Sequence, residues 1–186
     1  MRADAARRRT AIVHAGRTLF AERGSDVALD AVAEAAGVGI ATLYRNFDSR
    51  AALLDEVALA ILADVAAVVD EALAGLDDGD ISAWEGCLRR LVDLDLGALT
   101  TALADHAAGA LSAPVRQAQH RTLARVDALL GAARTRGLVR ADLSALELVV
   151  AIGMVTRPQP EAVLRSAPDL RERLVSILLA GLRPGG

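Results

Sequence analysis

The sequence predicts an all-α protein, and its composition supplies the first two reasons. Hydrophobic residues make up 53% of the 186 residues, and most of them are alanine and leucine, which both favour helices. Aromatic side chains, which are typical of β-strands, make up only 2%. The chain is long enough to bury a substantial core, either as one large domain or as a small domain joined to a larger one.

The third reason is the spacing of the apolar residues, which recur at helical intervals along almost the whole chain. This spacing predicts helices over about 5–23, 29–36, 40–47, 50–73, 81–94, 96–108, 113–136, 143–157 and 169–182.

Residues suited to helix ends punctuate the first four of these helices. Gly24 follows the first helix and Gly37 the second, because glycine accepts the left-handed conformation that often follows a last helical turn. Asp48 and Ser49 are favourable N-cap residues for the long fourth helix. The segment "AGLDDGD", residues 74–80, is predicted to be a loop.

Proline and glycine mark the later boundaries. The seventh helix begins near Pro114 and ends at Gly137. The segment "RPQPEAVLRSAP", residues 157–168, is predicted to be a connection, and the final "LRPGG" a frayed tail.

The second and third helices have the features of a helix-turn-helix. Two helices that cross closely need a small residue at the contact and a turn that accepts a left-handed backbone, which suits Ala33 and Gly37. Leu43 and Phe47, four residues apart, share the inward face of the third helix. Val32 and Val38 complete the apolar set.

The polar residues of the third helix fall on its other side. With Thr42 at zero and about 100° per residue, Arg45 lies at about −60° and Asn46 at about +40°, away from Leu43 at about 100°. Thr, Asn and Arg can hydrogen-bond base edges in a major groove, and Tyr44 at the flank can reach a phosphate.

Arg50 stands in the first turn of the fourth helix, where the helix dipole disfavours a cation, so an anionic partner would explain it. The alternative is that Arg45 and Arg50 are solvated surface charges. Because these residues accompany the glycine turn, the DNA-binding interpretation is preferred.

Charge also limits the candidate functions. A net charge of −3 argues against a uniformly basic nucleic-acid binder, so any basic surface is local. Residues 1–50 contain eight arginines and six acidic residues, whereas the remainder contains thirteen and eighteen. All 21 cationic residues are arginine, which excludes enzymes that depend on a Schiff-base or phosphate-loop lysine.

The segment "LDAVAEAAGVGIATLYRNFDSRAALLDEV", residues 29–57, closely resembles the DNA-binding signature of the TetR family of transcriptional regulators, as does "LFAERG" at 19–24. Residues 121–154 resemble the family's variable C-terminal regulatory domains. The resemblance implies an N-terminal helix-turn-helix domain over 1–48. It also implies a C-terminal ligand-binding and dimerisation domain over 49–186, connected to the head through the long helix.

The resemblance further implies a homodimer that binds a double-stranded DNA operator and a small-molecule effector. Matched position by position, Thr42 and Tyr44 correspond to DNA contacts and Arg50 to a phosphate contact. The complete DNA-binding set is Gly39, Ile40, Ala41, Thr42, Tyr44, Arg45, Asn46 and Arg50.

Two positions depart from the family pattern. Ala28 stands where the family often has a capping threonine, which removes an N-cap and a phosphate contact. Ile40 stands where a polar residue is common, so it either touches a thymine methyl group or packs against the protein.

The helices over 143–157 and 169–182 carry more apolar faces than one thin helical layer can cover. Two copies packed as a four-helix interface would bury them. The alternative is an ordinary internal core.

Ligand pockets in helical proteins are mostly apolar with a few polar groups. The candidates to line one are Trp84, Cys87, Leu88, Leu91, His106 and Met154. Each also has a structural interpretation: Trp84 and Met154 as core residues, and Cys87 as a small buried hydrophobe.

The predicted function is a sequence-specific transcriptional regulator, a repressor that a small apolar ligand releases from its operator. An activator or co-repressor-dependent regulator of the same fold, and a helical carrier or enzyme with a vestigial head, are the alternatives. No catalytic motif, cofactor or metal site is predicted. The lone Cys87 and the lack of a spanning apolar run of about 20 residues predict a cytoplasmic protein without a membrane partner.

Overall fold

A computed structural model describes residues 2–23, 26–94, 96–97, 112–140, 142–157 and 159–184, and these contain helices and no strand. The helices are α1 (Arg2–Arg23), α2 (Leu29–Ala35), α3 (Ile40–Asn46), α4 (Arg50–Asp77), α5 (Ser82–Asp93), α6 (Ala113–Thr135), α7 (Ala145–Val155), α8 (Glu161–Ser166) and α9 (Leu170–Leu182). The predicted all-α class is therefore confirmed.

The described residues form two units. The first, which we call the head, contains residues up to Ile61 and residues 112–116. The second, the body, contains residues 62–97 and 117–184. α4 is one helix of 28 residues whose first three turns or so belong to the head and whose remainder belongs to the body.

In the head, α1, α2, α3 and the start of α4 share one apolar core. Ile12, Phe20, Val32, Leu43 and Leu53 are all almost completely buried. Burial of such side chains is the main stabilising contribution, at roughly 1.5–3 kcal/mol each.

The turn between α2 and α3 has the geometry that the glycine predicted. Gly37 has a φ of 67°. Its N–H donates to the carbonyl of Glu34 at 2.9 Å, and the N–H of Val38 donates to the carbonyl of Ala33 at 2.9 Å. This pair of bonds is a Schellman motif, which satisfies the last carbonyls of α2 and directs the chain into α3. Gly79 and Gly137 close α4 and α6 in the same way.

Two sequence-based predictions of connections were wrong. Residues 74–77 continue α4 instead of forming a loop, because Leu76 extends its apolar stripe and is fully buried. The connection over 157–168 contains the short helix α8, which buries none of its residues and therefore leaves no apolar periodicity in the sequence. Gly24 lies outside the described residues, as do residues 98–108 of the predicted sixth helix.

In the body, Gly97 lies against the end of α7. Its N–H donates to the buried hydroxyl of Thr156 at 2.8 Å, and a Cβ at Gly97 would lie 2.1 Å from the carbonyl oxygen of Gly153. Only glycine fits such an approach. At the other end of α7, Ser144 and Glu147 form a capping box, and hydrogen bonds from Ser144 hold the pKa of Glu147 below its usual value.

We expect Gly37→Ala to destabilise the protein by about 1 kcal/mol, because alanine at a positive φ is strained. Gly39→Ala is the matched control, since Gly39 has a φ of −73° and open space around it. Urea unfolding followed by circular dichroism, at one protein concentration, measures both variants. Equal stability of the two variants would contradict the left-handed turn.

Candidate nucleic-acid interface

The short helix α3 turns its apolar side into the head. Leu43 is completely buried and Phe47, just beyond the last turn, is 2% exposed. α2 buries Val32 and Ala33. These burials confirm the inward face that the sequence predicted.

The opposite side of α3 faces solvent. Gly39, Ala41, Tyr44 and Arg45 are exposed, Tyr44 by 52%, and Ile40, Thr42 and Asn46 are half-buried. The structure thus brings the predicted residues of α3 together on one accessible surface, which we call the α3 surface.

Hydrogen bonds within α3 order its polar side chains. Arg45 Nη2 donates to Thr42 Oγ1 at 3.1 Å, and Asn46 Nδ2 donates to the carbonyl of Thr42 at 2.8 Å. The hydroxyl of Tyr44 makes no hydrogen bond within the described part of the chain. The α3 surface therefore offers one uncommitted hydroxyl, a guanidinium held by an exposed bond that a nucleic acid could replace, and an amide held by a part-buried bond.

The caps on either side of α3 differ. Ala28 gives α2 no side-chain cap, because an alanine side chain has no atom that can accept a hydrogen bond. At the start of α4, Ser49 Oγ accepts from the N–H of Ala52 at 3.1 Å. Ser49 thus fixes the first turn of α4, in which Arg50 is half-buried.

Sequence reasoning missed Arg9 of α1, which holds the end of α3. Its Nη1 donates to the carbonyl of Asn46 at 2.8 Å, and its Nη2 donates to Glu56 of α4 at 2.8 Å. Its guanidinium lies over the Phe47 ring, 4.4 Å from the centroid. The only sequence signal is the arginine run 7–9, which does not show which of the three points inward.

A cavity of about 620 Å³ opens in the body, within the usual size range of ligand pockets. Of the predicted ligand-binding residues, Trp84 and Leu88 line it. Cys87 and Leu91 are buried without lining it, and burial raises the pKa of the Cys87 thiol to about 12. Met154 is 71% exposed and does not line it either. His106 lies outside the described residues.

Other kinds of site find no support in the described ranges. No group of His, Cys, Asp and Glu there is placed to hold a metal ion. None of the helices described has both the length and the apolarity that a bilayer span requires.

The fold and the α3 surface define a helix-turn-helix protein. Residues 12–57 match the sequence profile of the bacterial regulatory proteins of the tetR family. Residues 81–184 match the C-terminal domain of the SbtR-like transcriptional regulators. The chain therefore belongs to the TetR family of bacterial transcriptional regulators.

Solved structures of similar proteins have the same fold. The TetR regulator SCO0520 from Streptomyces coelicolor is 30% identical, with 96% of this chain and 99% of that one covered and a TM-score of 0.64. A TetR regulatory protein from Mycobacterium vanbaalenii is 31% identical, with 98% of each chain covered and a TM-score of 0.61. RolR, solved in complex with resorcinol, is 24% identical with a TM-score of 0.50, covers 98% of this chain and 90% of its own, and shows the fold alone. No curated protein matches the sequence.

We expect Arg9→Met to weaken DNA binding about five-fold while leaving its salt dependence unchanged, because the Arg9 guanidinium is engaged by Asn46 and Glu56 within the head and orients α3. Arg9 and Glu56 are each more than a third exposed, so loss of the ion pair between them costs no more than about 1 kcal/mol of stability. Arg7→Met, which removes an exposed arginine paired with Asp4, is the control. Fluorescence anisotropy at several salt concentrations measures both. A shallower salt slope in Arg9→Met would show that Arg9 binds a phosphate instead.

Proposed function

We propose that this chain is a homodimeric repressor that binds an operator through the α3 surface and leaves it when a small molecule occupies the body. The observation that carries the proposal is the two-sided construction of α3. Its apolar side is committed to the head core, whereas its polar side chains are accessible or half-buried and, within the described residues, form hydrogen bonds only inside α3.

Within this proposal the side chains divide by chemistry. Arg45, Asn46 and Thr42 carry the donors and acceptors that read base edges, and Ile40 and Ala41 offer apolar contact to a thymine methyl group. Tyr44 and Arg50 hold backbone phosphates on either side of α3, and Gly39 lets the DNA backbone come close. Phosphate contacts set the position of the helix, and base contacts set the sequence that it prefers.

We expect Arg50→Ala to weaken binding to all DNA sequences similarly and to reduce the salt slope by about one, because one phosphate contact is lost. Tyr44→Phe should weaken binding with little change in slope, since it removes only a neutral donor. The duplexes are those that the wild-type protein enriches from a randomised library. Arg121→Ala, an exposed arginine of α6 in the body, is the charge-matched control. Wild-type affinity and slope in Arg50→Ala would refute the assignment.

The dimer is supported by apolar side chains that one copy leaves in solvent. α7 buries Ala145, Leu148 and Ile152 on one face. Leu146, Val150 and Met154, four residues apart on its opposite face, are 59%, 49% and 71% exposed. On α9 only Leu182 is buried, and Ile177 is 66% exposed. A second copy packed on α7 and α9 would cover these groups in a two-fold interface.

We expect Val150→Asp to convert the dimer to a monomer, because a carboxylate at the centre of an apolar interface would be buried without a partner. Analytical ultracentrifugation gives the mass. Val163→Asp places the same charge on an exposed apolar residue of α8, outside the proposed interface, and should leave the dimer intact. A monomeric wild-type protein at micromolar concentration would overturn the interface. If two heads are held this way, their half-sites should lie about 34–36 Å apart.

Release by a ligand is proposed because α4 is one continuous helix with residues in both the head and the body, so a change in the body can be transmitted along it. RolR, which has the same fold, was solved with resorcinol bound. Coupling of the usual size would change operator affinity about 5–150-fold. Transcript levels after gene deletion test the sign of regulation: they rise if the protein represses and fall if it activates.

A further inference from the structure

The cavity in the body is open to solvent and has a mainly apolar lining. It lies between the start of α5, the glycine turn after α6 and the end of α9. Trp84 and Leu88 are 6% and 2% exposed, and Leu138 and Leu179, also in the lining, are half-buried. Such walls favour a ligand whose main part is apolar, because its transfer from water is driven by the burial of that surface.

Two of the polar lining residues are already engaged within the protein. The hydroxyl of Ser82 donates to Asp80 Oδ1 at 2.6 Å. The carboxylate of Glu85 accepts from Arg89 Nη2 at 2.7 Å, so its charge is paired. Neither group is left over to select a ligand.

The uncommitted polar groups of the lining are both donors. The guanidinium of Arg183 and the indole N–H of Trp84 make no hydrogen bond or ion pair within the residues that the structure describes. A guanidinium matches the two oxygens of a carboxylate, and a charge-assisted pair is stronger beside apolar walls than in open water. An anionic group on the ligand would therefore complement the guanidinium of Arg183.

We infer that this cavity binds a small apolar carboxylate, with its hydrocarbon body against Leu138 and Leu179, over the buried Trp84 and Leu88, and its carboxylate on Arg183. The inference rests on the proposed ligand response, to which it adds the place and the chemical class of the effector. Ile81 and Ser82 bring the lining next to the end of α4. There α4 is closely held: a Cβ at Gly75 would lie 2.7 Å from Ala83, and Arg136 donates to the carbonyl of Leu76 at 2.6 Å. An occupant therefore contacts the segment that follows the closely held end of α4.

Trp84 is the sole tryptophan, so its fluorescence reports occupancy directly. The probes are cyclohexanecarboxylate and octanoate, each compared with the alcohol and the ammonium compound of the same hydrocarbon body. We expect at least one carboxylate to change the fluorescence saturably, its alcohol to bind about ten-fold more weakly, and its ammonium compound to bind least.

Arg183→Gln should weaken carboxylate binding about ten-fold and remove the preference over the alcohol. Arg173→Gln, on α9, which Arg183 directly follows, is absent from the lining; it is the matched control and should behave as wild type. Failure of both carboxylates, equal affinity for carboxylate and alcohol, or an unchanged Arg183→Gln would each overturn the assignment.

The same samples separate this inference from the proposed function. If the protein binds its enriched DNA but neither carboxylate, the inference fails and the DNA-binding role stands. If a carboxylate binds through Arg183 but leaves DNA affinity unchanged, the site stands and its role in release fails.

Discussion

The head depends on one constraint: α3 is only seven residues long, and a helix of two turns is not stable alone in water. The orientation of α3 is therefore set by its contacts with the rest of the head. The Schellman turn at Gly37 fixes how the chain enters, Leu43 and Phe47 fix one face in the core, and Arg9 bonds to the carbonyl of Asn46 at the exit. The exposed polar side is consequently fixed in direction before any DNA is present, which lowers the entropic cost of binding.

This construction also shows how an acidic protein can serve as a DNA-binding one. Several arginines of the head already have carboxylate partners, Arg7 and Arg8 with Asp4 and Arg9 with Glu56. These paired arginines contribute to the structure of the head more than to the electrostatic field around it. In the proposed binding mode, affinity relies on Arg45 and Arg50, and the acidic remainder of the chain, residues 51–186 with eighteen acids against thirteen arginines, disfavours DNA binding elsewhere.

The sequence predicted what short-range physics determines. Helical spacing located the helices, and Gly37 and the Leu43–Phe47 pair defined the turn and the inward face. It failed where an element leaves no apolar period, as in α8, or where the period continues through loop-like residues, as at Leu76. It also missed Arg9, whose partners lie 37 and 47 residues away, and the cavity, because helices distant in sequence meet there. Of the predicted pocket residues, Trp84 and Leu88 line the cavity, whereas Cys87 and Leu91 of the same helix are buried without lining it.

The position of α9 makes the two proposed roles of the body interdependent. Leu179 and Arg183 line the cavity, whereas Ile177 on the same helix is exposed on the face assigned to the second copy. A helix that borders both sites cannot shift at one without changing the other. Linkage then requires reciprocity: if an occupant of the cavity strengthens or weakens the dimer by some factor, dimerisation changes the affinity for that occupant by the same factor. In the proposed dimer two half-sites are bound together, so operator affinity follows from dimerisation, and a ligand would act on DNA binding through α9 as well as through α4.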